Sequence, residues 1–208
     1  MDLEQILKII ISYLIGSISG SMLMGKIRGV DIRTMGSGNA GGTNAFRTQG
    51  TLFALSVIII DIIKGYISTY YISGDMGEGG ILGVLCGIAA VLGHVYPVYY
   101  NFKGGKGAGT LVGILIALYP LGLVISFSIW VLVLILTGYV GFSTILAGIS
   151  FPVIIYYENY MGGLTSSIGL FSIIMALFLV FTHRSNIVRM LHGNENRFEK
   201  VMIFRKKS

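Results

Sequence analysis

Residues 110–157 contain no aspartate, glutamate, lysine or arginine. A soluble domain must present charge to water along any stretch of that length, whereas a single bilayer crossing takes about 20 mostly apolar residues. The whole chain agrees: its 208 residues are 54% hydrophobic and 12% charged. In lipid the backbone must satisfy its own hydrogen bonds, so the expectation is an all-α integral membrane protein. No segment is left over for a soluble domain, and residues 1–208 read as a single polytopic membrane domain with a basic tail from about residue 183.

Apolar runs set against glycine, proline and charge predict spans at about 4–25, 51–72, 81–98 and 164–182. Breaks at Tyr119-Pro120 and around Gly138 and Gly141 divide residues 110–157 into three shorter spans. The connecting segments differ in charge. Those at 26–50, 98–110 and 182–208 hold four, two and seven of the fifteen lysines and arginines, while the turns at 73–80 and 158–163 hold only acids. Basic segments stay cytoplasmic, so the chain is expected to have about seven transmembrane helices, with the N-terminus outside and the C-terminus cytoplasmic. Residues 1–8 carry Asp2 and Glu4 against one lysine, which is wrong for a cleaved signal peptide, so the first span is expected to remain in the protein.

The net charge of +6 fits this bias and phosphate-bearing partners, with no need for nucleic acid. Cys86, the only cysteine, lies in an apolar run and reads as a packing residue. Three scattered histidines give no metal-ligand spacing.

Three polar segments stand out, all on the cytoplasmic face of this topology. The run Gly36-Ser37-Gly38-Asn39-Ala40-Gly41-Gly42-Thr43-Asn44-Ala45-Phe46-Arg47 is poor helix and rich in backbone N–H groups, so it suits an anion at the start of a helix; a plain connector is the other reading. The cluster Lys103-Gly104-Gly105-Lys106-Gly107 lacks the earlier glycine and the following hydroxyl of a nucleotide P-loop. It is either a phosphate clamp or a solvated basic loop. In Thr182-His183-Arg184-Ser185-Asn186, a helix continuing through the segment would put His183 and Asn186 on one face.

Inside the second span, Asp61 and Lys64 either neutralise one another at i, i+3, or leave Lys64 facing a substrate. His94, with Pro97, ends the third span beside the lysine cluster. In the tail, Arg189, Arg197, Lys200, Arg205, Lys206 and Lys207 alternate with apolar residues, as in a segment lying on anionic headgroups.

Taken together, Gly36-Ser37-Gly38-Asn39 with Gly41 and Thr43-Asn44, Lys64-Gly65, Gly93-His94 with Pro97, Phe102-Lys103-Gly104-Gly105-Lys106-Gly107, and Thr182-His183-Arg184 with Asn186 resemble the bacterial acyl-phosphate-dependent glycerol-3-phosphate acyltransferases. The resemblance spans essentially the whole chain in the family's order. Ala40 stands where that family commonly has proline, and Gly42 where it has alanine.

The resemblance implies a seven-helix enzyme of the plasma (inner) membrane that moves a fatty acyl group from acyl phosphate to glycerol 3-phosphate. The products would be 1-acyl-glycerol 3-phosphate and phosphate, with neither a cofactor nor acyl carrier protein or coenzyme A required. Both substrates are phosphate anions and one carries an acyl tail, which suits cationic glycine loops beside lipid. Arg47 and Lys106 are expected to bear the phosphate charge, with Ser37 and neighbouring N–H groups completing the cradle. The resemblance supports those positions and adds His183 and Asn186. Gly36, Gly38, Asn39, Gly41, Thr43, Asn44, Lys64, His94, Lys103, Gly104 and Gly105 are expected to line the substrates.

Acyl phosphate is already activated, so alignment and charge stabilisation suffice and no covalent intermediate is required. A substrate phosphate is favoured over His183 as proton acceptor. Ser37 is not in a Gly-x-Ser-x-Gly elbow, and no His-x-x-x-x-Asp motif follows any histidine. A transporter for a phosphorylated solute is the rival, although the polar motifs gather on one side rather than at the midplane.

Overall fold

In a computed structural model, residues 1–74 and 79–203 are described; Asp75 and Glu78 of the expected acidic turn, and Arg205, Lys206 and Lys207 of the tail, lie outside the described residues. Among the described residues the regular structure is helical, with ten α-helices and no strand. The chain divides into two compact units, Met1–Pro120 and Leu121–Ser208.

The first unit opens with α1 (Leu3–Gly16), whose start is fixed by a reciprocal cap in which Asp2 accepts from the Gln5 backbone and the Gln5 side chain accepts from Asp2. The expected single span at 4–25 is in fact two helices. After Ser17-Ile18-Ser19 the chain restarts as α2 (Gly20–Arg28), capped by Ser19 and bent by 40° from α1. A short α3 (Gly42–Gln49) leads across Gly50, at φ +83°, into α4 (Thr51–Ile67), which ends in one wide π turn, Ser68–Ile72. Next come α5 (Ile81–Val95) and α6 (Ala108–Leu118).

Two close helix pairs build this unit, α1 on α5 and α4 on α6. Lipid gives helices no hydrophobic drive to associate, so they pack backbone to backbone through small residues. A Cβ on Gly93 would overlap the Tyr13 carbonyl of α1, and one on Gly113 would overlap the Ile62 carbonyl of α4.

The second unit contains α7 (Pro120–Thr137), α8 (Val140–Glu158), α9 (Ser167–Thr182) and α10 (Arg184–Leu191). α8 packs along α9, and α7 is tied to α8 by the Trp130 indole N–H on Thr144 Oγ1 at 3.1 Å. An arm after α10 returns to the α7–α8 corner, where Phe198 N donates to the Gly138 carbonyl at 2.8 Å and Ile203 N to the Ile135 carbonyl at 3.2 Å. An apolar cavity of about 710 Å³ lies here, bounded by Phe142, Ile145, Met190, Leu191 and Met202, with Arg197 on its lining and over the Tyr139 ring.

Among the described residues four helices are long and apolar enough to cross a bilayer, and up to six spans result if each bent pair, α1–α2 and α9–α10, counts as one. The 11 residues of α6 reach only about 16 Å, roughly half the hydrocarbon thickness. Where three spans were expected within 110–157, α7 and α8 are long enough to cross and α6 is a shorter apolar helix. Large apolar side chains such as Leu132 and Leu177 face outward, as they do in a protein solvated by lipid.

Candidate functional site

The segment between α2 and α3 is organised around one buried amide. Asn44, on the first turn of α3, donates through Nδ2 to the carbonyls of Ile32 at 3.2 Å and Met35 at 2.9 Å, and its Oδ1 accepts the Ser37 N–H at 2.9 Å. This one side chain therefore shapes residues 32–38 into a fixed curve, and its own polar capacity is spent on the loop. Gly36 and Gly38 turn at φ +55° and +72°, and a Cβ on Gly36 would collide with Asn44 Oδ1. Ser37 and Thr43 are exposed on the curve, Asn39 and Gly41 are half-buried, and Arg47 is exposed one turn into α3. At the start of α3 the N–H groups of Gly42, Thr43 and Asn44 precede the intrahelical ladder, giving this end its partial positive charge.

The lysine cluster is built against the end of α5. Gly104 N donates to the Val95 carbonyl and Gly105 N to the His94 carbonyl, both at 3.1 Å, so the chain folds back on the helix it has just left. Asn101 and Phe102 adopt left-handed conformations to start this return, at φ +54° and +57°. Lys103 is exposed and Lys106 half-buried, two residues before α6.

The two loops meet at Gly105. A Cβ there would lie 3.1 Å from the Ala40 carbonyl of the first loop and would overlap His94 Nε2. His94 is thus the buried floor of the contact. The first unit brings together residues 36–44, His94 and residues 104–105, while His183 and Asn186 belong to the second unit.

Asp61 and Lys64 act together. Lys64 Nζ lies 3.1 Å from Asp61 Oδ1 and donates to the Ile18 carbonyl at 2.8 Å, and the same Asp61 oxygen accepts the Gly20 N–H at 3.3 Å. Ile18 and Gly20 flank the break in the first span. The pair therefore supplies hydrogen bonds that a straight helix would have made for itself. His94 Nδ1 approaches Asp61 Oδ1 to 3.4 Å without hydrogen-bonding geometry.

In the second unit, the helix does not continue straight through the third motif. His183 ends α9 at φ −94°, ψ 8°, and α10 leaves at 51°. Its Nδ1 lies 2.9 Å from the Leu179 carbonyl, an acceptor, so Nδ1 carries a proton. Asn186, buried against Gly141, donates through Nδ2 to Glu195 Oε1 at 2.9 Å, and Glu195 Oε2 pairs with Arg189 Nε at 2.7 Å. Glu195 is buried by its position in the arm, which no periodicity in the sequence signals. Among the described residues no group of three or more His, Cys, Asp or Glu could hold a metal ion.

The family model for glycerol-3-phosphate acyltransferase matches residues 6–193. The chain belongs to the glycerol-3-phosphate acyltransferase family. The family resemblance read from the motifs along the chain is borne out. Among curated members, the glycerol-3-phosphate acyltransferase of Chlorobaculum tepidum is 40% identical, with 91% of this chain and 94% of that protein covered. That of Chlorobium luteolum is 41% identical, with 90% and 93% covered. Among solved structures, this acyltransferase-family chain is similar to PlsY (YgiH), an integral membrane glycerol 3-phosphate acyltransferase, in its glycerol 3-phosphate form. The TM-score is 0.87 at 34% identity, covering 93% of this chain and 95% of that one. The lysophosphatidic acid form of the same protein gives 0.84.

Proposed function

We propose that the chain transfers a fatty acyl group from acyl phosphate to glycerol 3-phosphate, giving 1-acyl-glycerol 3-phosphate and phosphate. The observation that carries this reading is the meeting of two cationic, glycine-rich loops over His94, within a chain of the acyltransferase family. Both substrates are phosphate anions, and exposed loop N–H groups, a helix start, Arg47 and the lysines are the groups that bind such anions.

In the proposed reaction a glycerol 3-phosphate hydroxyl attacks the acyl carbonyl carbon, the carbon–oxygen bond to phosphate breaks, and phosphate leaves. The hydroxyl proton passes to a phosphate oxygen of a substrate. Arg47 and Lys106 hold phosphate charge, and Ser37 with its neighbouring N–H groups completes the cradle. Gly36, Gly38, Asn39, Gly41, Thr43, Lys103, Gly104 and Gly105 shape the phosphate-facing backbone. Asn44 and His94 serve by holding that backbone in place, and Lys64, also expected beside the substrates, holds the join between α1 and α2. His183 and Asn186, in the second unit, complete the assignment. The leaving phosphate removes any need for acyl carrier protein, coenzyme A or a cofactor.

We place the N-terminus outside and the C-terminus, with both loops, on the cytoplasmic face of the plasma (inner) membrane. On this reading there are seven spans: the bent pair α1–α2, then α4, α5, α6, α7, α8 and α9. The distribution of lysine and arginine supports the orientation.

The test is phosphate release from synthetic palmitoyl phosphate by purified protein in lipid, with and without glycerol 3-phosphate, together with mass detection of product. Release that depends on the acceptor and matches lysophosphatidic acid is the expected result. An intact preparation that makes no product would sink the assignment.

A further inference from the structure

Asp31 and Arg33 lie between α2 and α3, outside the motifs singled out in the sequence. Arg33 presents Nε to Asp31 Oδ1 at 3.1 Å and Nη2 to Asp31 Oδ2 at 2.8 Å, a two-pronged contact that fixes the plane of the guanidinium. Its remaining nitrogen, Nη1, donates to the Tyr100 carbonyl at 3.2 Å, 67 residues away in sequence. That carbonyl also accepts the Lys103 N–H at 3.2 Å. Arg33 therefore reaches the backbone that carries the lysine cluster.

The other end of the tie runs into the first loop. Asp31 Oδ1 accepts the Arg33 N–H at 2.9 Å and so caps the turn Ile32–Thr34. The Ile32 carbonyl receives Asn44 Nδ2, and Asn44 Oδ1 receives the Ser37 N–H. From Lys103 to Ser37 the path is unbroken: Tyr100 carbonyl, Arg33, Asp31, the 32–34 turn, Asn44.

We infer that Arg33, held by Asp31, is a positioning residue that sets the spacing between the two phosphate-binding loops. The inference rests on the proposed reading of those loops. An arginine is required, because a lysine ammonium cannot span two carboxylate oxygens and a carbonyl in one plane. Both side chains are partly exposed, at 27% and 37%, so the ion pair contributes little to stability and its loss should leave the fold intact.

The experiment compares Arg33→Ala, Arg33→Lys and Thr34→Ala in the full chain, by steady-state kinetics in lipid and by thermal unfolding. Thr34→Ala removes a neighbouring bond in the same turn, Thr34 Oγ1 to the Asp31 carbonyl at 2.8 Å, without touching the tie. Both Arg33 variants should raise KM for glycerol 3-phosphate about fivefold or more with kcat within about twofold, while Thr34→Ala stays near wild type. Tm should move by less than about 2 °C in all three. In a Lys106→Ala background, the Arg33→Ala effect should fall short of multiplying, because the lysine it places is gone.

An unchanged KM in Arg33→Ala, full rescue by Arg33→Lys, an equal rise in Thr34→Ala, or independent multiplication with Lys106→Ala would each overturn the inference. Failure of the underlying loop reading looks different: Lys106→Ala would itself be kinetically wild type, and the inference would fall with it.

Discussion

Replacing Lys64 with alanine separates the two roles open to an ionisable residue inside a span. Lys64 is 4% exposed, and its ammonium is committed to Asp61 and to the Ile18 carbonyl. Removing it leaves a buried carboxylate that keeps only the Gly20 N–H among its strong partners, and strips the Ile18 carbonyl of its donor. Breaking a buried pair from one side costs about 3–5 kcal/mol, whereas replacing both partners with neutral groups of similar shape is often close to neutral. For a chain of this size each kcal/mol moves Tm by about 2–4 °C, so Lys64→Ala should lower it by roughly 10 °C. Asp61→Asn combined with Lys64→Met should recover most of that loss. The assay is thermal unfolding in detergent across the single and double variants, with turnover measured below the lowest transition. The reasoning is refuted if Lys64→Ala unfolds with the wild type yet loses turnover, because the lysine would then serve substrate. It is equally refuted if the single losses simply add in the double variant.

Lys106→Ala and Arg47→Ala should each lower turnover at least about tenfold, equivalent to about 1.4 kcal/mol of barrier, with unfolding unchanged; wild-type kinetics in both would remove the phosphate assignment. Asp31 has a pKa held below the ordinary aspartate value, first by its hydrogen bond from the Arg33 side chain. Its stabilising contribution is thus present above about pH 3.9, the unfolded value, and is lost as pH falls through the lower folded value. The Tm difference between wild type and Asp31→Asn, under about 2 °C for so exposed a pair, should therefore be present at neutral pH and vanish in strong acid, and a difference independent of pH would break the argument. For the orientation, a cysteine in place of the exposed Lys103 in a Cys86-free background should react with impermeant reagent only from the cytoplasmic side. Labelling from outside would invert the proposed topology.

The apolar helices and the cationic loops were legible in the sequence because each rests on local composition: apolar runs poor in charge for α4 to α9, and glycine with lysine or amide residues for the loops. The break in the first span was not. Residues 15–20 are small or apolar with no proline, and what steadies the interruption is Asp61 and Lys64, more than forty residues away. Distance in sequence hid Asn44 in the same way. An amide in a glycine-rich run suggests ligand contact, yet its nitrogen and oxygen close on Ile32, Met35 and Ser37. Arg33 enters the sequence only as one of four cations in 26–50, since the Tyr100 carbonyl that gives the arginine its meaning is a backbone group and leaves no signal. Of the two readings of Asp61 and Lys64, the packing geometry agrees with the paired one.

The interrupted first span also bears on how the protein is made. Its Ile18 carbonyl and Gly20 amide emerge well before residues 61 and 64 have been synthesised, so the early segment enters the membrane with its join unfinished. The later segment brings an aspartate and a lysine that would each cost roughly 2.5–3.5 kcal/mol to insert alone near the centre of a helix. Each segment supplies what the other lacks. α1–α2 and α4 are therefore best delivered to the bilayer as a pair, and a pause in translation between them would lengthen the life of the half-built join.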